Sequence, residues 1–145
     1  MKYTYPDAYC IGNTFRWGYN GEAVLIALNY IDSTDNVQKR LRLYEAFKED
    51  ILSLITEDMT DFQKAVTVHD YIVMNLKYDT SYIVYDAVNM ALGGSGVCQG
   101  YAQMFYDICA NELGMGCGFA VGQNKTPGDA GHIWNVINID GAWYH

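Results

Sequence analysis

One cysteine in this 145-residue chain stands where a nucleophile could be made. Cys98 follows Gly94-Ser95-Gly96-Val97 and precedes Gln99-Gly100-Tyr101-Ala102. Behind it Tyr101, Ala102, Phe105, Ile108, Cys109 and Leu113 recur at helical spacing, which predicts a helix over residues 98–113 with one buried stripe. Cys98 then lies in or just before the first turn. Backbone N–H groups without helical partners point outward there, and the helix dipole favours negative charge. The thiolate form of a thiol is favoured in such a place. Its chemistry would be attack on an acyl carbon, and that requires a base together with a group that orients the base.

The chain has three histidines. His69 falls on the apolar stripe of a predicted helix and is expected in the core. His145 occupies the last position and reads as an exposed strand residue. His132 begins a predicted strand after Gly128-Asp129-Ala130-Gly131, where the neighbouring glycine leaves room for another group. Taken alone, its type and position leave a catalytic and a structural role equally open. Of the remaining cysteines, Cys109 on the helix stripe and Cys117 in a strand-like run read as small buried hydrophobes, and Cys10 is uninformative. No C-x-x-C pair and no alternating Asp/Asn loop is present, so neither a zinc knuckle nor a calcium site is expected, and no metal or cofactor is implied.

The elements that must position Cys98 and His132 follow from pattern and capping. Residues 14–19 and 22–31 flank Asn20-Gly21, a pair suited to a two-residue hairpin turn. In that register Phe15, Trp17 and Tyr19 face Ile26, Val24 and Glu22 on a mostly apolar face; a helix over Glu22–Leu28 is the competing expectation. Ser33 to Asn36 supplies caps for a helix carrying Val37, Leu41, Tyr44, Ile51, Leu54 and Ile55. Thr60-Asp61-Phe62-Gln63 is a capping box, predicting a helix to about Leu76 that buries Phe62, Ala65, Val66, His69, Ile72, Val73 and Leu76. Asp86 caps a short helix reaching Leu92. Gly114 closes the Cys98 helix. Strands over Cys117–Gly122 and His132–Ile139 follow, separated by a polar loop, and Asp140-Gly141 turns the chain into Ala142-Trp143-Tyr144-His145. Helices followed by an antiparallel sheet make an α+β domain.

Composition narrows the partners. Half of the residues are apolar, enough for one ordinary core, and no repeat or linker divides residues 1–145. The organisation expected is a hairpin and helices over 1–92, then the Cys98 helix and sheet over 93–145. A net charge of -8 disfavours nucleic acid and anionic membranes, leaving peptides, proteins and small molecules. No apolar run approaches the roughly 20 residues of a membrane span, and the first residues carry no stretch like a signal peptide. Cytoplasmic and exported locations both remain open, as does the oligomeric state.

Gly-Val-Cys-Gln-Gly-Tyr-Ala (96–102), Gly-His-Ile-Trp-Asn-Val (131–136) and Asp-Gly-Ala-Trp-Tyr-His (140–145) closely resemble the transglutaminase-like superfamily of cysteine enzymes. Val68-His69-Asp70-Tyr71-Ile72 and Lys77-Tyr78-Asp79 also resemble the family segment that precedes the cysteine. The resemblance spans about residues 60–145. It implies a papain-like α+β core with a Cys-His-Asp triad, Cys98 as nucleophile and His132 as general base and acid. Tyr78, Tyr82 and Trp134 are the candidates for oxyanion or substrate contact. The implied chemistry is thioester formation on a protein or peptide amide, followed by water (a peptidase or deamidase) or by an amine acceptor (a transglutaminase). A family-type aspartate is expected just after His145, facing Trp134 diagonally to His132. On this reading the chain is a core cut short before its acid and weak in turnover. Asn135 would face away from His132, Asp129 lies in the preceding loop, and Asp140 is at the far end of the hairpin. The other readings are a non-catalytic peptide- or protein-binding module on the same fold, and acyl transfer from a thioester donor as in arylamine acetyltransferases.

Overall fold

The computed structural model describes residues 4–123 and 131–145. The polar loop is expected over 123–130; Gln123 belongs instead to a strand, and the remainder, with Pro127-Gly128 and Asp129, lies outside the described residues. After a short 3-10 turn at Pro6–Cys10, strands β1 (Ile11–Tyr19) and β2 (Val24–Tyr30) form an antiparallel hairpin. The Ser33 hydroxyl accepts the Asn36 N–H and opens helix α1 (Thr34–Leu52). Thr60 and Gln63 form the reciprocal capping box that opens α2 (Asp61–Asn75), with bonds of 3.2 and 2.9 Å. Strand β3 (Lys77–Tyr78) precedes helix α3 (Ala87–Gly93), which the Asp86 carboxylate caps at 2.8 Å from the Asn89 N–H. Strand β4 (Ser95–Gly96) leads into helix α4 (Cys98–Tyr106). Strands β5 (Cys117–Gln123), β6 (Gly131–Ile139) and β7 (Ala142–Tyr144) make an antiparallel sheet in the order β5-β6-β7. Asp140 and Gly141 both have positive φ (51° and 84°), as a two-residue hairpin turn requires.

Helix α4 is the centre of the packing. Ala102, Met104 and, just beyond it, Ile108 are buried against α2, α3 and β6. Tyr44 and Ile51 of α1, Val68 and Ile72 of α2, Val88 and Met90 of α3 and Ile137 of β6 complete one continuous core. The architecture is α+β, as its sequence predicts.

The Cys98 helix does not run as a regular α-helix to residue 113. From Asp107 to Glu112 it widens into a π-helical turn. This turn carries an ionic cluster shared with α1. Lys48 Nζ lies 2.6 Å from Glu112, 3.1 Å from Glu45 and 3.4 Å from Asp107, and the Tyr44 hydroxyl donates to Asp107 at 3.0 Å. Asn111 donates to the other Asp107 oxygen at 2.7 Å. Lys48 and Asp107 are both buried, so each needs the partners that this cluster supplies.

Two expectations are corrected. The hairpin pairs Tyr19 with Val24, Trp17 with Ile26 and Phe15 with Leu28, not with Glu22, Val24 and Ile26. The Asn20 side chain accepts the N–H groups of Glu22 and Ala23, and the Asn20 N–H bonds to the Ala23 carbonyl. That local turn lengthens the loop to Asn20–Ala23 and slides the register by two, which keeps the same residues on each face. Those faces are exposed throughout β2, so the apolar face is not buried. Helix α2 buries Ala65, Val68 and Ile72, while Phe62, Val66, His69 and Val73 are on its open side. Two apolar stripes compete on this helix, and tertiary packing selects the one turned one residue further round.

Candidate active site

Cys98 is the first residue of α4, and the geometry around it begins with Val97. Valine has no side-chain acceptor to cap the first turn, so only the Gly100 and Tyr101 N–H groups there are taken, by the Val97 carbonyl, and no side-chain cap covers the Cys98 N–H. Gly96 and Gly100 flank the cysteine because α3 approaches closely. A Cβ at either position would stand 2.7 Å from the Met90 sulfur. The two glycines thus let α3 pack directly on the turn that carries the thiol.

A short parallel pairing brings the next group in. Lys77 and Tyr78 lie beside Ser95 and Gly96, with the Lys77 N–H on the Gly94 carbonyl and the Asp79 N–H on the Gly96 carbonyl. This places the Tyr78 phenol on the cavity wall it shares with Cys98, near enough for the cysteine's backbone N–H and sulfur to act on it. Burial pushes the Tyr78 phenol up, and the adjacent Cys98 sulfur adds to that. Its ring stacks on Tyr101 at 6.2 Å and meets the Tyr82 ring edge-on at 6.5 Å.

The other wall comes from β6. His132 pairs with Gly122 of β5, and its imidazole stacks on Trp134 with centroids 5.8 Å apart and planes at 23°. Asn135, on the opposite face, is committed elsewhere. Its amide donates to the Ala102 carbonyl at 3.0 Å and to the Gly118 carbonyl at 3.4 Å. That fixes β6 on α4 and leaves Asn135 in a scaffold role.

Cys98, Tyr78, Tyr101, His132 and Trp134 line one cavity of about 300 Å³. Tyr82 is not among the lining residues and touches the site through Tyr78. His69 corrects its expectation. It lies at the cavity rim rather than in the core, with its side chain 62% exposed and its Nδ1 2.9 Å from Asp70. The apolar residues Phe62, Val66 and Val73 on its own side of α2 disguised that exposed face in the sequence. The β3–β4 contact that brings Tyr78 to Cys98 spans only two residues on each strand, too few for any periodic signal.

Among the described residues that line this cavity there is no carboxylate. Asp140 lies at the β6–β7 turn, and β7 pairs with β6 in the expected register, Ile139 with Ala142 and Ile137 with Tyr144. Among the described residues no group of His, Cys, Asp and Glu side chains is arranged to hold a metal ion. Nor is any helix there long and apolar enough to cross a membrane.

The family model for the transglutaminase-like superfamily matches residues 45–145. Three crystal structures share the fold. A TGase aligns with a TM-score of 0.58 at 12% identity, covering 94% of this chain and 44% of that one. A candidate cysteine protease from Cytophaga hutchinsonii gives 0.52 at 16% identity, over 78% of this chain and 41% of that one. A candidate protease from Parabacteroides distasonis gives 0.51 at 16% identity, over 93% and 29%. The chain thus spans less than half the length of each of these structures. No curated protein sequence matches it.

Proposed function

We propose cysteine-nucleophile amide chemistry for this chain, which belongs to the transglutaminase-like superfamily. The observation that carries the reading is the shared cavity of Cys98, Tyr78 and His132. In this reading the Cys98 thiolate attacks the carbonyl carbon of a peptide or glutamine amide on a protein substrate. The oxyanion accepts hydrogen bonds from the Cys98 N–H and the Tyr78 hydroxyl, both on the cavity wall. One preorganised donor at such a position is worth about 2.7–4 kcal/mol. His132 delivers its proton to the departing amine or ammonia, leaving an acyl thioester on Cys98. Water then releases the acid, with its proton passing to His132, or an amine acceptor forms a new amide. Hydrolysis is the favoured outcome, by analogy with the two protease-described structures. Trp134 supplies a flat apolar wall for the substrate beside the imidazole.

The test is turnover of a glutamine-containing peptide with and without a primary amine, read by mass spectrometry in wild type, Cys98→Ala and His132→Ala. Loss of product in both variants and a thioester adduct on Cys98 support the reading. Equal turnover in Cys98→Ala would sink it.

The apolar cavity wall of Tyr78, Tyr101, Phe105 and Trp134 suits a second reading, a peptide-binding module on the same fold. It predicts peptide binding without turnover, unchanged by Cys98→Ala.

A further inference from the structure

Beside the cavity lies a carboxylate that the chemistry above does not use. Asp79 is 9% exposed and has no cation among its hydrogen-bond partners. Its carboxylate instead gathers donors from its own loop: the Ser81 N–H at 2.9 Å, the Ser81 hydroxyl, the Ile83 N–H at 2.8 Å and the Val84 N–H at 3.0 Å. Four donors on one carboxylate close residues 79–84 into a knot. The knot is tied to the site at both ends. At one end Asp79 gives its own N–H to the Gly96 carbonyl and is bonded in sequence to Tyr78. At the other, the Val84 carbonyl accepts the N–H of Val97, the residue that starts the Cys98 helix, at 2.9 Å.

Between these ends Tyr82 is held with φ of +56°, a left-handed conformation that a bulky residue rarely adopts. Its ring is nevertheless 57% exposed, so burial of that ring does not account for the conformation. What the conformation achieves is contact: the Tyr82 edge meets the Tyr78 ring, whose other neighbour is Tyr101. The Tyr78 ring is thereby confined on the cavity wall that it shares with Cys98.

We propose that Asp79 is a positioning residue for the Cys98 site, acting through Tyr78. The proposal rests on the reading of Cys98 as a nucleophile. The Asp79 knot orders the Tyr78–Tyr82 pair so that the Tyr78 hydroxyl meets the thiolate. The hydrogen bonds that surround Asp79, the Ser81 hydroxyl foremost and then the Val84 and Ile83 amides, also hold its carboxyl well below the ordinary carboxylate range, so it is ionised at neutral pH.

The test is the iodoacetamide alkylation rate of Cys98, followed by mass spectrometry, in wild type, Asp79→Asn, Tyr78→Phe and the double variant, with folding checked by circular dichroism. Asp79→Asn and Tyr78→Phe should each slow alkylation at pH 7 about tenfold, the effect of one hydrogen bond to a charged group. The loss should shrink near pH 10, where a thiol ionises unaided. Asp79→Asn should add nothing in the Tyr78→Phe background. A folded Asp79→Asn that labels at the wild-type rate, or losses that multiply in the double variant, overturns the proposal while leaving the nucleophile reading intact. If Asp79→Asn does not fold, Ser81→Ala carries the test: slowing of about threefold supports the proposal and an unchanged rate overturns it. A wild-type Cys98 no more reactive than in the urea-unfolded chain overturns the nucleophile reading and the proposal with it.

Discussion

The Asn135 side-chain amide donates to the Ala102 carbonyl at 3.0 Å, a hydrogen bond from the strand of His132 to the helix of Cys98. The two groups proposed to exchange a proton lie on separate elements. Their relative position is therefore a matter of packing between α4 and β6, and Asn135 is the polar part of that packing. It occupies the inward face of β6 with Ile133 and Ile137, which are buried, while His132 and Trp134 face the other way.

Asn135→Ala should accordingly separate registration from thiol reactivity. It removes donors to two carbonyls in a half-buried setting and should lower stability by about 1–2 kcal/mol in urea unfolding. Cys98 alkylation should hold its wild-type rate, since Tyr78 and the helix terminus are untouched. Peptide turnover should fall on the order of 10–100-fold, because a small displacement of the base suffices. Unchanged turnover with lowered stability would show that Asn135 serves the fold alone.

The four cysteines should label in a set order. Burial pushes the Cys117 thiol up to about 11 and Cys109 further still, and Cys109 has no exposed surface. Cys10 is buried as well, whereas Cys98 is half-buried at the cavity. Native protein with limiting iodoacetamide at pH 7.5 should take one equivalent at Cys98, and unfolding in urea should expose all four. Labelling of Cys10 before Cys98 would contradict the order.

How much of this could be read from residues alone depended on whether the cause was local. The start of α4 was legible because Gly94, Gly96 and the stripe from Ala102 to Ile108 are contiguous signals. The caps at Ser33, Thr60 and Asp86 were legible for the same reason. The Asn20 loop was not, because an Asn-Gly pair fits two turn geometries and the Asn20 side chain chose the longer one. The exposed side of α2 was hidden by apolar residues on both its faces. The ionic cluster at Asp107 depends on Lys48, far away in sequence, and no local pattern around residues 107–112 announces it.

Acid should reveal Asp79 as a stability group. Its folded-state pKa is depressed, so its contribution is present above the unfolded value near ~3.9 and is lost as pH falls below it. The melting temperature of wild type should drop more steeply between about pH 4.5 and 2.5 than that of Asp79→Asn. Parallel curves would mean that the loop gains nothing from the charge.

Lys48 should be the costliest single truncation outside the cavity. Burial alone would lower its pKa, but the Glu112 hydrogen bond and the Asp107 and Glu45 charges outweigh that and hold it above the ordinary lysine range. A raised folded-state pKa contributes stability that is complete below the unfolded value near ~10.4 and fades as pH rises above it. Lys48→Met removes the cation and leaves the buried Asp107 facing Glu112 with Tyr44 and Asn111 as its remaining donors. Breaking a buried pair in this way should cost about 3 kcal/mol in urea unfolding at pH 7, with the gap to wild type narrowing above about pH 10.5. Adding Glu112→Gln should return part of the loss by removing one of the stranded charges. The π-helical turn is about 14 Å along α4 from the thiol, so Cys98 should be alkylated at the native rate in both variants wherever they remain folded. A Lys48→Met protein that stayed stable but lost Cys98 reactivity would instead make this cluster part of the machinery that sets the thiol.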